Sequence, residues 1–333
     1  MRRLRVGTWM VDSPRGTSTR LERSRKVALA APIAMVDARN GRVVSARRSA
    51  KKAKLWCGKQ SAGDLVFVHE GDTLEVRERI RVAGEVRALR LSVDTRRVAL
   101  VSYVAESRDF RVVVMELDGR VLAARTNTQV RSCAWWNDHL VLGLCDRAWT
   151  NAHGSTAELW TADLERCVER LHSDDAGLDV ASEAGVVAAC GIDMHLWWPG
   201  DSREPWSQPA SIGGVPGEID GAVLTRDGRL AAVTHDLWHE GEAQAAIFRV
   251  DALDAEPLLI SDGTRRHVAQ LTFSPDGSRL ALRLGESAEV RVHSTCDAAC
   301  VGKTDVPGLS AIAWRDDRTL LVGGAGLSAW TVA

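Results

Sequence analysis

The sequence predicts an all-β fold that is assembled from one repeated unit. Three observations predict it: short apolar stretches recur at intervals, two-residue turn signals separate them, and tryptophan returns near the end of several units. The clearest copy, residues 268–293, reads VAQLTFSPDGSRLALRLGESAEVRVH. It consists of an apolar strand, an Asp-Gly turn, a second apolar strand and an alternating third strand. Residues 310–332 repeat this pattern.

Seven copies of the unit follow one another along the chain. Their starts lie near residues 53, 87, 131, 178, 220, 268 and 310, at intervals of 34 to 48 residues. Most of these intervals are close to the roughly 40 to 45 residues of a four-stranded propeller blade. The sequence therefore predicts a single closed β-propeller over residues 27–333, with seven four-stranded blades favoured over six or eight.

Turn chemistry supports this division into strands. Asp227-Gly228 and Asp276-Gly277 supply the positive φ that a tight hairpin requires, and Asn137-Asp138 takes the equivalent place in another unit. The last unit has three strands, so we expect the N-terminal part of the chain to supply its fourth strand and close the ring. The predicted donor region is 27–52, which contains an Asn40-Gly41 hairpin signal. Residues 1–26 are predicted to be a basic extension.

The ends of the third strands resemble those of a known repeat family. The chain has Leu159-Trp160, Leu196-Trp197 and Ala329-Trp330 where WD40 repeats end in a Trp-Asp dipeptide. The resemblance covers residues 53–333. Because neither the Trp-Asp pair nor the Gly-His pair of the family is present, the chain resembles a divergent WD40-like or TolB-like propeller. The hydrogen-bond network of the family is therefore not transferred to this chain.

Composition indicates a soluble globular protein. Apolar residues make up 45% and charged residues 26% of the 333 residues, and no apolar run approaches the roughly 20 residues that span a bilayer. Seven cysteines are scattered and mostly lie in apolar runs, which favours a reducing compartment. We therefore expect a cytoplasmic protein without membrane contact, and the Arg- and Ala-rich usage indicates a bacterial source.

Charge is distributed unevenly along the chain. Residues 1–54 contain 15 Lys and Arg against 3 Asp and Glu, whereas the remainder contains 28 against 41. A basic segment of this kind binds nucleic acid phosphates or an acidic protein surface, docks on its own acidic body, or stays solvated. For non-specific nucleic acid binding, the candidate residues are Arg2, Arg3, Arg5, Arg23, Arg25 and Lys26.

Three connections between second and third strands are predicted to be long, namely 102–111, 146–157 and 235–245. In a blade these connections open on one face of the ring, and long loops on a rigid scaffold often carry function. Large rings in such loops favour burial against a partner, although insertions without a ligand are the alternative. The candidate partner-binding residues are Phe110, Trp149, His153, His235, Trp238 and His239.

Catalytic and cofactor motifs are missing from the sequence. The stretch 323–326 has the composition of a phosphate loop but lies between two strands, so it is predicted to be a hairpin. His235 and His239 have metal-ligand spacing only on a helix, and Cys296 and Cys300 lack two further ligands. No enzyme activity, catalytic residue, metal or cofactor is predicted. The main hypothesis is a protein-binding scaffold or complex subunit; the alternatives are a nucleic-acid-associated subunit and a propeller hydrolase or lyase with a site at the central channel.

Overall fold

The structure is a computed structural model. It describes residues 19–20, 22–28, 33–47, 64–105, 107–127, 129–145, 155–172, 177–181, 185–190, 193–202, 204–209, 211–212, 215–216, 219–235, 245–261, 267–285 and 287–332. Within these residues the chain forms strands and turns and no helix. The prediction of an all-β fold is confirmed.

Six blades are sheets formed by four consecutive antiparallel strands. Blade 1 contains β3 (Ile33–Arg39), β4 (Arg42–Arg47), β5 (Leu65–Glu70) and β6 (Val76–Arg81). Blade 2 contains β7 (Glu85–Leu91), β8 (Arg97–Val104), β9 (Asp109–Glu116) and β10 (Val121–Asn127). Blade 3 contains β11 (Val130–Trp136), β12 (His139–Cys145), β13 (Ser155–Thr161) and β14 (Cys167–His172).

The next three blades repeat this order. Blade 4 contains β15 (Gly177–Ala181), β16 (Val186–Cys190), β17 (Asp193–Trp197) and β18 (Trp206–Pro209). A short ribbon of β19 (Ser211–Ile212) and β20 (Val215–Pro216) leads to blade 5, which contains β21 (Ile219–Leu224), β22 (Leu230–His235), β23 (Ala245–Arg249) and β24 (Leu258–Ile260). Blade 6 contains β25 (Val268–Phe273), β26 (Arg279–Leu284), β27 (Glu289–Ser294) and β28 (Cys300–Asp305).

A composite sheet, here called the closing sheet, completes the ring. It contains β29 (Ala311–Asp316), β30 (Thr319–Gly323) and β31 (Gly326–Thr331), and its fourth strand is β2 (Glu22–Ala28). β2 pairs antiparallel with β31, and β1 (Thr19–Arg20) pairs parallel with β28 at the edge of blade 6. The first strands of the sheets are neighbours around the channel, and β29 contacts β3. The propeller is therefore closed by strands from both parts of the chain.

The structure changes four details of the expected organisation. Seven blades were predicted, with the last one completed by an N-terminal strand; the structure has six blades that are continuous in sequence, and the composite closing sheet takes the remaining place in the ring. The closing strand β2 lies largely before the predicted donor region 27–52, and that region instead supplies β3 and β4 of blade 1. The first unit therefore begins at β3 and not near residue 53. The predicted basic extension 1–26 also includes β1 and most of β2.

The division into strands follows the burial of the side chains. The second and third strands of blade 1 bury four consecutive residues each, whereas the outermost strand, β6, is mostly exposed. Between neighbouring sheets, apolar side chains of the facing strands pack together; an example is the contact of Val290 and Val292 with Trp314. These interfaces hold each sheet against the next and define the central channel between the first strands.

The predicted turns have the expected backbone geometry. Gly228 and Gly277 have φ of 67° and 72°, and Asn40 and Gly41 have φ of 45° and 72° between β3 and β4. Glycine and asparagine adopt this region at low cost.

Two faces of the ring follow from the strand order. The turn face carries the connections between first and second strands, and the long-loop face carries those between second and third strands.

Candidate functional site

The central channel contains a cavity of about 210 Å³ near the turn face. Six of the seven first strands, or the turns that follow them, contribute to its wall. The charged residues among the described lining residues are Asp37, Arg39, Arg90 and Arg226. Because pockets with convergent polar groups are the usual binding sites of small molecules, this cavity is the candidate site.

Hydrogen bonds between neighbouring first strands make the wall of the cavity rigid. The indole Nε1 of Trp135 donates to the Arg90 carbonyl oxygen at 3.0 Å, and Nε1 of Trp314 donates to the Thr272 carbonyl oxygen at the same distance. Each tryptophan thereby joins its strand to the preceding sheet. A buried indole N–H that finds a carbonyl oxygen satisfies both groups and fixes the side chain.

Gln270 makes a third such connection with its side-chain amide. Its Nε2 donates to the Ile312 carbonyl oxygen at 2.8 Å, and its Oε1 accepts from the Ile312 N–H at 3.0 Å. The amide therefore binds the backbone of β29 as a neighbouring strand would. Blade 6 and the closing sheet are joined by this pair in addition to the bond from Trp314.

Asp37 is the acidic residue of the cavity wall. Its Oδ2 accepts the Leu91 N–H of blade 2 at 2.7 Å, and its Oδ1 accepts the Ala38 N–H at 3.0 Å. Burial raises the pKa of the carboxyl group, and the charges of Arg90 and Arg39 oppose this shift in the pKa. The carboxylate thus joins blade 1 to blade 2 and lies beside two arginines.

The arginines approach the cavity from two sides. Arg39 ends β3 and Arg90 lies in β7, so both belong to neighbouring blades, whereas Arg226 follows β21 in blade 5. Nη1 of Arg226 lies 3.5 Å from Oδ1 of Asn40, in the first turn of blade 1. The Arg226 side chain therefore extends from blade 5 to blade 1 at the mouth of the channel.

Catalytic groups are sparse around this cavity. Its described lining residues include one carboxylate and no histidine or cysteine. The Ser274 hydroxyl donates to the Asp276 carboxylate of its own turn at 2.6 Å. Across the described ranges, no group of three or more His, Cys, Asp and Glu side chains could hold a metal ion. The described lining thus contains no nucleophile paired with a histidine base for the hydrolase alternative.

Most of the predicted partner-binding residues lie outside the described residues. This applies to Trp149, His153, Trp238 and His239. His235 is the last residue of β22, and its backbone pairs with Ile219. The connections that contain these residues, 146–154 and 236–244, lie between described second and third strands, so they belong to the long-loop face.

Phe110 differs from its predicted place in a long loop. β8 and β9 extend to Val104 and Asp109, so blade 2 has a short connection and not a loop over 102–111. The half-buried Phe110 ring lies 5.1 Å from the Tyr103 ring, with the Arg131 guanidinium 4.1 Å above it. The prediction of a loop ring there is wrong, because pairing of Tyr103 with Phe110 continues the hairpin.

The basic candidates divide between two regions. Arg23, Arg25 and Lys26 lie in β2, opposite Trp330, Ala329 and Ser328 of β31. Arg2, Arg3 and Arg5 lie outside the described residues. The basic residues of 1–54 are thus divided, since β2, β3 and β4 are strands of the ring.

Two buried histidines were not recognised in the sequence. In the third strands, His69 and His293 directly follow the register shift against the fourth strand, at the position that Trp160 has in blade 3. Nδ1 of His69 lies 3.0 Å from the Leu74 carbonyl oxygen, and its Nε2 lies 2.7 Å from the Ser45 hydroxyl. The neutral ring therefore donates through Nδ1 and accepts through Nε2. Because Ser45 and His69 are both fully buried, this pair is structural.

His293 has the Nδ1 contact of this arrangement but not the Nε2 contact. Its Nδ1 lies 2.9 Å from the Ala298 carbonyl oxygen, and its buried Nε2 has no hydrogen-bond partner among the described residues. Burial lowers the pKa of both His69 and His293 below the usual value of 6.5. A proton on either ring would place a charge in the core, which is unfavourable without a partner.

We expect acidification to destabilise the propeller through these two histidines. Below a pH of about 6.5 the unfolded chain binds the proton first, so the free energy of unfolding falls by up to about 1.4 kcal/mol per pH unit for each ring. The loss ends below the folded-state pKa values. Urea unfolding at pH values of about 7.5 and about 5.5 measures this change.

The matched variant is His293→Leu, which removes one ring whose Nε2 makes no hydrogen bond in the described structure. It should show a smaller loss of stability between the two pH values than the unmodified chain. Asp37, whose raised pKa acts in the opposite direction, is common to both proteins. Equal pH dependence of the two proteins would contradict the assignment.

Comparisons with known proteins identify the fold. No protein-family model matches the chain, and no curated protein matches it in sequence. The β-propeller domain of Cps50 (Swd1) from Myceliophteria thermophila matches in structure with a TM-score of 0.70 and 15% identity, over 94% of this chain and 100% of that domain. No helix among the described residues is long and apolar enough to cross a membrane. The chain has the fold of a WD40-like β-propeller.

Proposed function

We propose that this chain is a non-catalytic scaffold that binds a protein partner through its long-loop face. The observation that carries the proposal is the position of its three longest connections between second and third strands. They span 48–64 in blade 1, 146–154 in blade 3 and 236–244 in blade 5. All three leave the ring on the same face, because the strands that flank them have equivalent places in their sheets.

Each of these connections contains one tryptophan: Trp56, Trp149 and Trp238. Tryptophan is enriched among the residues that contribute most to protein–protein affinity. The sequence alone suggested the last two, and the strand bounds of blade 1 add Trp56. A rigid ring whose long connections on one side each contain a tryptophan suits a protein surface better than a small substrate.

The compartment proposed for this scaffold is the cytoplasm. Cys133, Cys167, Cys296 and Cys300 are free thiols. Burial raises the pKa of Cys133 to about 12, so that thiol is unreactive. Free thiols of this kind fit a reducing compartment. Nucleic acid binding stays a prediction for Arg2, Arg3, Arg5, Arg23, Arg25 and Lys26, and no described contact favours it over a protein partner.

Affinity purification of the tagged full chain from its host, followed by mass spectrometry, identifies the partner. The substitutions Trp149→Ala and Trp238→Ala should each weaken binding of that partner by about 2 kcal/mol, roughly thirtyfold. The matched control is Arg229→Ala, which removes an exposed side chain on the turn face. Loss of the partner in the control with retention in both tryptophan variants would place the interface on the opposite face.

A further inference from the structure

The charge of the cavity wall is not required by the propeller fold. Arg90 in β7 pairs with Ala99, the third residue of the second strand of its blade. At the same register, four other first strands carry uncharged residues: Ala134, Val223, Thr272 and Ala313. In blades 1 and 4 the residues at this position are acidic, Asp37 and Asp179. A ring of this kind thus closes without an arginine at this position.

The cavity nevertheless keeps an excess of positive charge. Arg39, Arg90 and Arg226 line it, and Asp37 is the one acidic residue among its described lining residues. Among these described lining residues, the guanidinium charges exceed the carboxylate charge by two even with Asp37 ionised. In a concave cleft lined by charges of one sign, such a field is focused and attracts anions.

The acidic residues of the neighbouring turns do not offset this charge from within the cavity. Asp94 and Asp227 accept hydrogen bonds from the hydroxyls of Ser92 and Thr225 at 2.5 and 2.7 Å, and they are not part of the cavity wall. Asp276 is bound in the same way in its own turn. These carboxylates stabilise turns on the rim.

We propose that the cavity binds a small phosphate-bearing molecule, with Arg39, Arg90 and Arg226 as its phosphate ligands. A planar guanidinium donates two parallel hydrogen bonds to phosphate oxygens, and three of them suit more than one negative charge. A volume of about 210 Å³ admits a small molecule but no secondary-structure element. This site lies near the turn face and is independent of the proposed scaffold function.

Arg226 can exchange its contact with Asn40 for one with a bound phosphate. Its contact with Oδ1 of Asn40, at 3.5 Å, is at the long limit of a hydrogen bond. A phosphate oxygen offers this guanidinium a charged acceptor, which forms a shorter and stronger bond than an amide oxygen. We therefore expect Arg226 to contribute to affinity from the side of the channel opposite Arg39 and Arg90.

Calorimetric titration of the full-length protein with sodium pyrophosphate at low ionic strength tests the proposal. Saturable binding is expected, and Arg39→Gln, Arg90→Gln and Arg226→Gln should each lower the affinity about tenfold or more, because each removes a charged donor. Asp37→Asn should raise the affinity severalfold, since it removes the negative charge and keeps an oxygen for the Leu91 N–H.

The matched control is Arg249→Gln, an exposed arginine on the third strand of blade 5 that pairs with Asp251. It should bind pyrophosphate as the unmodified chain does. Absence of saturable binding up to about 10 mM, or equal affinities of Arg226→Gln and the control, would overturn the proposal. Weaker binding by Asp37→Asn would contradict its electrostatic basis. If a glutamate-rich peptide binds more tightly than pyrophosphate, and the same arginine substitutions abolish its binding, the ligand is an acidic protein segment and not a small molecule.

Discussion

Deletion of residues 1–28 is expected to abolish the soluble, folded monomer. The deletion removes β2, and six residues of β2 pair with β31. Without this strand, the outer edge of the closing sheet has unpaired N–H and carbonyl groups, which promote edge-to-edge association. Size-exclusion chromatography and thermal unfolding should show aggregation or a large fall in the melting temperature.

The matched control is deletion of residues 1–18, which leaves β1 and β2 in the chain. It should remain monomeric with a melting temperature close to that of the full protein. A synthetic peptide of residues 19–32 should restore stability when it is added to the chain of residues 29–333. A stable monomer of 29–333 would contradict the role of β2 in closing the ring. Deletion of residues 1–48 does not isolate this role, because it also removes β3 and β4 from blade 1.

Sequence reasoning succeeded where the turn residues determine the backbone. The pairs Asp227-Gly228 and Asp276-Gly277 marked the hairpins of blades 5 and 6, and both glycines have positive φ. Trp160, Trp197 and Trp330 were placed near the ends of third strands, and β13, β17 and β31 contain them there. The turns depend on adjacent residues, and the strands show as apolar residues that recur with the period of a strand. A single sequence therefore carries enough information to predict both.

The closing strand was misplaced because an outermost strand carries little hydrophobic pattern. β2 reads ERSRKVA, and the outermost strand of blade 1, VRERIR, is also mostly exposed. Such strands are held by backbone hydrogen bonds to one neighbour and need few apolar side chains. The charge count over 1–54 therefore suggested an arm where the structure has strands.

The first blade was misread for a different reason. Its second strand ends at Arg47 and its third strand begins at Leu65, so a long connection interrupts the pattern of the repeat. The stretch from residue 53 was consequently taken for the start of a unit. The cavity could not be predicted at all, since Arg39, Arg90 and Arg226 come together only when distant blades close into a ring.

Replacement of Trp314 should cause the largest loss of stability of any single substitution considered above. The side chain is 4% exposed and packs between blade 6 and the closing sheet, against Val290, Val292 and Leu320. Trp314→Ala should lower the free energy of unfolding by about 3–5 kcal/mol, because it leaves a cavity and removes a hydrogen bond. Urea unfolding measures this difference.

The hydrogen bond to Thr272 can be separated from packing by substitutions to phenylalanine. Trp314→Phe keeps an aromatic ring but leaves the Thr272 carbonyl oxygen without its indole donor, at an expected cost of about 1–3 kcal/mol. Trp136 is the matched control, since its buried Nε1 has no hydrogen-bond partner among the described residues. Trp136→Phe removes no such bond and relieves an unsatisfied donor, so it should cost less than Trp314→Phe. Equal costs would show that bonds between neighbouring first strands contribute little, and that apolar packing alone holds the ring closed.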